Sequence, residues 1–352
     1  MIDSLEVGGA EKMAINYANA LSDRIEFSGL VATRKEGNLI NQIDKKVSYL
    51  FLNRKKVVDL KAVKTLKNYC KENKVHYIHA HGTSYFTAFL VKLIYPKIKI
   101  IWHDHYGMSE FLSDRKATVL KMSSLFFSGI ITVNFQLKNW AEIKLYCNKV
   151  IYLPNFTSNT TTILAETKLK GVDGKRILCL ANLREQKNHF LLLEIAEKIK
   201  TIHPDWTFHL VGKDFGDHYS KQIKELILNK NLDENVFVYG TKNDSVNIIN
   251  QSDICIFTSN SEGLPVALLE YGLQKKPVVS TNVGEIPLII KNNNNGYIVP
   301  VNNAEIFTSY LMKLIEDKDL REKLGTSLYH TILEKNSEEF VMNKYLNWID
   351  SL

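Results

Sequence analysis

The sequence lacks several features that would each fix its class. Its four cysteines, Cys70, Cys147, Cys179 and Cys255, stand far apart with no paired spacing, which argues for reduced thiols and against a disulfide framework or a zinc motif. No run approaches the ~20 apolar residues that span a bilayer. The opening Met-Ile-Asp-Ser-Leu-Glu-Val-Gly-Gly has no basic region followed by an apolar one, so it does not read as a secretory signal. G-x-G-x-x-G is missing, which removes the dinucleotide fingerprint. No Asp-x-Asp stands at a strand end. Lysine and arginine are spread along the chain without aromatic interleaving, and no nucleic-acid motif is present. These absences predict a cytoplasmic protein that binds no nucleic acid.

What is present points to an anion-binding α/β protein. At 352 residues the chain fits two domains of about 150–180 residues. A net charge of +7 asks for an anionic partner. Short apolar runs alternate with segments of helical period from end to end. Strands are predicted near 27–32, 47–52, 77–80, 98–102, 130–133 and 150–153, then near 176–180, 208–211, 236–239, 254–258, 278–281 and 297–299. Such alternation implies parallel sheets covered on both faces. Two rounds of it predict a Rossmann-like doubly wound domain at 1–156 and another at 173–336. The polar, Thr-rich 157–172 reads as the linker. Residues 337–352 read as an amphipathic helix, through Phe340, Tyr345, Leu346, Trp348 and Ile349, that packs back toward the first domain. The beginning is unusual, because Asp3-Ser-Leu-Glu-Val-Gly-Gly should be the loop after a first strand, yet only Met1 and Ile2 precede it. A strand usually takes about five or six residues, so the first strand reads as truncated, with several apolar residues expected in frame upstream.

The most informative stretch is Ser259-Asn-Ser-Glu-Gly-Leu-Pro-Val-Ala-Leu-Leu-Glu270. It follows the apolar run Ile254-Cys-Ile-Phe-Thr and enters a helix, with Pro265 expected at the first helical position and Pro277 as the stop. Glu262 then lies on the loop before the helix and Glu270 about a turn and a half inside it. Between them the free N–H groups of Gly263, Leu264 and the first turn form an anion seat. Two acceptors flanking an anion seat suit a molecule with hydroxyls at both ends and phosphate in the middle, as in a sugar nucleotide. A solvated strand–loop–helix carries the same pattern.

Other stretches add to this one. Gly8-Gly9 opens a helix and lets a ligand approach its N-terminus; a plain tight turn has the same spelling. Tyr77-Ile-His-Ala-His81 and Ile100-Ile-Trp-His103-Asp-His105 end strands where ligands of open α/β sheets bind. As metal ligands these histidines would have to converge, which spacing does not show, and His79 reads as core-facing. Arg184 and Lys187 enter a helix three residues apart and can converge on one diphosphate. Val211-Gly-Lys-Asp and Tyr239-Gly240 leave strands toward the same edge. Ten basic residues lie between Lys45 and Lys74, and Arg115, Lys116 and Lys121 interleave with apolar residues between Phe111 and Phe127. Such segments suit an anionic membrane surface, the inner face of the cell membrane here, or else an ordinary solvated helix face.

Ser261-Glu-Gly-Leu-Pro-Val-Ala-Leu-Leu-Glu270 followed by Pro277-Val-Val-Ser-Thr-Asn-Val-Gly284 resembles family 4 of the retaining glycosyltransferases. Gly8-Gly-Ala-Glu-Lys12, His79-Ala-His81, Leu183-Arg-Glu-Gln-Lys187, Val211-Gly212 and Asn235-Val-Phe-Val-Tyr-Gly240 fall in that family's order, so the resemblance covers nearly the whole chain. It implies a GT-B fold, with two Rossmann-like domains facing across a cleft. The implied activity is transfer of a hexose-type sugar, with configuration retained, from a nucleotide-diphosphate donor to a hydroxyl of a glycan or lipid-linked acceptor, without a metal. This is the chemistry of surface polysaccharide, lipopolysaccharide or capsule biosynthesis. By the same resemblance Glu270 binds the ribose, Glu262 the hexose, and Gly263 and Leu264 sugar or phosphate. Arg184 and Lys187 neutralise the departing diphosphate, His105 or His103 touches the donor sugar, and Gly8, Gly9 and Gly240 line the nucleotide-sugar site. The chain departs from the family where Ala181-Asn182 replaces Gly-Arg and where Glu285 and Leu288 replace a glycine and a glutamate. A sugar-nucleotide 2-epimerase and a non-catalytic sugar-nucleotide-binding subunit are the alternatives; product analysis without acceptor separates them.

Overall fold

A computed structural model describes residues 1–107, 109–157 and 165–352. Part of the expected linker, 158–164, lies outside the described residues. The chain divides into two compact units, Met1–Ser158 with Ser337–Leu352, and Asn159–Asn336.

Among the described residues the first unit carries β1 (Ile2–Ser4), β2 (Gly29–Lys35), β3 (Ser48–Phe51), β4 (Tyr77–His81), β5 (Lys99–Asp104), β6 (Phe127–Thr132) and β7 (Val150–Tyr152). They form parallel sheets ordered β1-β2-β3 and β4-β5-β6-β7. Met1 joins the two: its ammonium donates to the His79 carbonyl at 2.7 Å, and the His81 N–H donates to the Met1 carbonyl at 2.9 Å. β1 takes in Asp3 and Ser4, which the sequence reading gave to the loop. They stay extended because Ser4 pairs with Lys35 and the Asp3 carboxylate accepts from Thr33 and Thr83, with Arg54 at 3.4 Å.

Helix Gly9–Ser22 buries Met13, Ala14, Tyr17 and Ala18, the face its period predicts. Helix Leu60–Glu72 is capped by the Asp59 side chain and buries Val63, Leu66 and Cys70, leaving its lysines outward. The last helix, Glu338–Asp350, belongs to this unit. It buries Val341, Met342 and Tyr345, while Phe340 stays 40% exposed rather than joining the apolar face. Its Trp348 lies so close to β6 that a Cβ on Gly129 would stand 2.5 Å from the indole.

The second unit has β8 (Arg176–Leu180), β9 (Thr207–Val211), β10 (Val236–Gly240), β11 (Ile254–Phe257), β12 (Val278–Thr281) and β13 (Tyr297–Val299), all parallel in the order β10-β9-β8-β11-β12-β13. Strands buried on both faces read as continuous apolar runs, and these do. One core, around Leu192, Ile195, Phe208, Phe307 and Leu311, covers one face. A second, around Phe257, Leu268, Tyr271, Val278 and Ile332, covers the other. This is a doubly wound sheet whose order reverses between β8 and β11, the place where such folds bind ligands.

Candidate functional site

The site of the second unit is assembled where that order reverses. β11 ends at Phe257, and residues 258–265 turn back toward β8 before helix Val266–Leu273 begins. Pro265 is the N-cap of that helix rather than its first helical residue, with an extended ψ of 127°. The helix stays short because Lys275 adopts a left-handed φ of 53° two residues after its end. Packing fixes the helix from below. The Leu180 N–H at the end of β8 donates to the hydroxyl of fully buried Tyr271 at 2.7 Å. A Cβ on Gly272 would lie 2.6 Å from Ile332.

The loop itself is bonded on every side. Asn260 N–H donates to the Gln186 carbonyl at 2.8 Å, the Thr258 hydroxyl to the Lys187 carbonyl at 3.0 Å, and the Thr281 hydroxyl to the Ser259 carbonyl at 2.6 Å. Glu285 N–H donates to the Gly263 carbonyl at 3.1 Å. Gly284 is required here: at φ +54° a Cβ would meet the Glu262 carbonyl oxygen at 2.1 Å.

Glu262 and Lys187 come together in this frame. Lys187 Nζ lies 2.6 and 2.7 Å from the two carboxylate oxygens, and the Ser259 hydroxyl donates to the same carboxylate at 2.6 Å. Their side chains are 5% and 20% exposed, Glu262 the deeper. Lys187 ends a short 3-10 turn, Glu185–Lys187, whose N-cap is Arg184, and the α-helix begins only at His189. The two cations therefore take different directions: exposed Arg184 rests 4.8 Å from the Phe215 ring centroid, with Lys213 on the same ring at 5.2 Å. Phe215, on the loop after β9, was not a sequence candidate, although Val211-Gly-Lys-Asp pointed to that loop.

Glu270 lies within the helix, buried, and accepts from the Ser245 hydroxyl at 3.3 Å. Gly263 is half-buried and Leu264 buried on the loop. Gly240 ends β10 at φ +67°, its carbonyl accepting from Gly212 N–H at 3.0 Å. A Cβ on Gly212 would stand 2.1 Å from the Ala181 carbonyl oxygen, so the exits of β8, β9 and β10 close on one another.

In the first unit, Gly8 caps helix Gly9–Ser22 in extended backbone. A Cβ there would meet only the movable carboxylate of Glu11, at 2.3 Å, and Gly9 is exposed. His103 lies in β5, 1% exposed, and His105 follows the strand, half-buried. Burial holds the His103 imidazole well below its ordinary range and brings His105 down to about 3. Between them Asp104 turns to the other face and accepts both Arg115 nitrogens, at 2.6 and 2.8 Å. The Arg115 guanidinium is in turn covered by Trp140 at 4.3 Å and Tyr106 at 4.4 Å. Burial raises the Asp104 carboxyl against those bonds. This strap was missed because its residues stand eleven apart across a loop with no periodic signal.

Comparison with known proteins agrees with this geometry. Residues 7–157 match the family model described as Glycosyltransferase Family 4, and residues 161–330 the one described as Glycosyl transferases group 1. An uncharacterized glycosyltransferase of Haemophilus influenzae is 24% identical over 89% of this chain and 88% of its own length. The Escherichia coli UDP-Gal:alpha-D-GlcNAc-diphosphoundecaprenol alpha-1,3-galactosyltransferase is 22% identical over 96% of this chain and 90% of its own. The crystal structure of Anabaena HepE, in complex with UDP and glucose, superposes with a TM-score of 0.81 at 15% identity, covering 100% of this chain and 99% of that one. With two parallel doubly wound units, and with family models matched from residue 7 to 157 and from 161 to 330, the chain belongs to glycosyltransferase family 4 and has the GT-B fold.

Proposed function

We propose that this glycosyltransferase moves a hexose-type sugar, with retention of configuration, from a nucleoside-diphosphate donor to a hydroxyl of a glycan or lipid-linked acceptor in surface polysaccharide biosynthesis. The anomeric carbon exchanges its phosphate oxygen for the acceptor oxygen, and nucleoside diphosphate and the acceptor's proton are released. The observation that carries this reading is the Lys187–Glu262 pair at the strand-order reversal, bounded by the N-terminus of helix Val266–Leu273. Glu270 takes the ribose hydroxyls and Glu262 the hexose. Lys187 turns to the diphosphate when donor arrives, and Arg184 adds a second cation. Charge grows on the diphosphate as the bond breaks, so cations held there act on the transition state more than on the ground state. Gly263, Leu264 and Gly240 let the donor reach backbone amides. No step is assigned to a metal.

The relatives support the acceptor class. The Escherichia coli protein's name gives a diphosphoundecaprenol-linked sugar as acceptor, and two further relatives are named for amylovoran biosynthesis. Among the described residues no helix is long and apolar enough to cross a membrane. Contact with an anionic membrane face is instead assigned to Lys55, Lys56 and Lys61 beside Val57, Val58 and Leu60, which are 63%, 52% and 78% exposed. The test is a panel of nucleotide sugars scored by thermal shift, then transfer to undecaprenyl-diphosphate sugars with the new anomeric centre read by NMR. One donor raising Tm and giving a retained linkage is the expected result. An inverted linkage, or sugar epimerised without acceptor, overturns it.

A further inference from the structure

β4 and β5 run side by side with His81 opposite His103. Alternate residues of a strand share a face, so His79, His81 and His103 project to one side, with His105 next beyond. The four rings make a tight grid. His79 and His81 stack at 4.3 Å between centroids, and His103 and His105 lie 4.0 Å apart with tilted rings. Across the strands His79 Nε2 lies 3.1 Å from His103 Nδ1, and His81 Nδ1 lies 2.9 Å from His105 Nε2. Tyr17 packs edge-on against the rings, and the Tyr345 hydroxyl stands 3.3 Å from His79 Nδ1.

Buried polar atoms are normally satisfied, and here two are left over. Among the described residues His103 Nε2 and the Tyr17 hydroxyl have no hydrogen-bond partner, although His103 is 1% and Tyr17 2% exposed. One ring nitrogen from each of His79, His81 and His103 falls within 4.8 Å of the others. A tetrahedral ion with bonds of ~2.0–2.1 Å holds its ligand atoms about 3.3–3.4 Å apart, so movements on the order of an ångström close the set. A cavity of about 510 Å³ borders two of the three rings, His79 and His81, together with Met1, Tyr17 and Tyr345, and has room for a water.

We propose that His79, His81 and His103 form a site for one transition-metal ion of the zinc class, with a water or hydroxide as fourth ligand. An all-imidazole set suits zinc, cobalt, nickel or copper; magnesium and calcium take oxygen ligands. His105, hydrogen-bonded to the far side of His81, fixes that ring as second-layer partners of ligating histidines do. The ion ties β4 to β5 and is separate from donor departure, which Lys187 and Arg184 serve. It raises the stability of the first unit by mass action.

The experiment uses the full chain without a histidine tag, stripped with chelator and dialysed against micromolar zinc at near-neutral pH. Elemental analysis is expected to give one zinc per chain. X-ray absorption of that sample is expected to show a nitrogen and oxygen shell at about 2.0 Å with outer scattering from imidazole rings. His103→Gln, checked for folding by circular dichroism, is expected to lose about tenfold or more in zinc affinity. Substoichiometric zinc on wild type, sulfur in the first shell, or a folded His103→Gln with wild-type affinity each overturns the proposal. Should that variant not fold, the wild-type absorption spectrum decides alone.

Discussion

Replacing Lys187 by methionine tests the centre of the site, because it separates what the ammonium does for the fold from what it does for the reaction. In the structure it meets both Glu262 oxygens, at 2.6 and 2.7 Å, with the carboxylate 5% exposed and the lysine 20%. Removing one partner of a buried pair costs about 3–5 kcal/mol, because the other charge is stranded. Solvent reaches the lysine side and the Ser259 hydroxyl still serves the carboxylate, so the lower end applies, about 3 kcal/mol. Glu262→Gln costs less, about 1–2 kcal/mol, since it keeps an acceptor for Ser259 and frees Lys187 to turn toward water. The double variant is expected to fall short of the sum by about 1–2 kcal/mol, as contacting residues do. Urea unfolding of the four proteins measures that coupling. Turnover with a matched donor is the second reading. A cation facing growing charge is worth roughly 10²–10³ in kcat, and the loss should persist in the double variant. Lys187→Met unfolding at the wild-type urea concentration refutes the buried pair. Lys187→Met less stable but turning over like wild type refutes the diphosphate role.

Glu270→Ala removes the acceptors proposed for the ribose and is expected to weaken nucleoside-diphosphate binding by about 1.5–3 kcal/mol, measured by calorimetry, while kcat at saturating donor changes little. Gly284→Ala forces a Cβ to 2.1 Å from the Glu262 carbonyl oxygen at φ +54°, so a stability loss of about 1–3 kcal/mol should show as a lower urea midpoint. Arg115→Ala strands Asp104 and should destabilise by about 3–5 kcal/mol; Arg115→Ala with Asp104→Asn should recover part of it in the same assay. Burial holds His189 at about 4 and His209 at about 3 against an ordinary 6.5. The unfolded chain therefore takes up protons below pH 6.5 that the folded second unit refuses, so this stability is complete above pH 6.5 and lost as pH falls toward 3–4. Two such groups give up to about 2.7 kcal/mol per pH unit, and His209→Gln should remove close to half of the second unit's share of the slope in denaturant melts between pH 6 and pH 4.5, the buried histidines of the first unit supplying the rest.

The fold was legible because buried parallel strands announce themselves. β8, β12 and β13 occupy the residues their apolar runs predict, Arg176–Leu180, Val278–Thr281 and Tyr297–Val299. β2 slid instead, to Gly29–Lys35, because Thr33, Arg34 and Lys35 are polar and become strand only by pairing with Ser4 and bonding to Asp3. Pairing of that kind is invisible to a local pattern. The short helix, with Glu262 before it and Glu270 inside it, was equally readable, but the ion pair was not. Glu262 and Lys187 stand 75 residues apart, and only the β8–β11 register brings their loops together. The histidines divide in the same way: two H-x-H spellings could be read, whereas their convergence depends on His81 falling opposite His103.

That dependence on register explains why the candidate residues collect where they do. At the reversal between β8 and β11, one connection leaves for each face of the sheet, which opens a crevice that neither helix fills. A carboxylate projecting into it from residues 258–265 is largely out of water and must find a cation, and the 3-10 turn after β8 is the backbone that reaches it. The Asn188 side chain, with its left-handed φ of 48°, caps the next helix and also donates to Asn260, at 3.0 Å, and Asn302, at 2.8 Å, holding that turn against the loop. The crevice is therefore charged in both signs before any ligand arrives. Any ligand that draws Lys187 away must offer an anion to the ammonium and a donor to the Glu262 carboxylate, which otherwise stay bonded to each other.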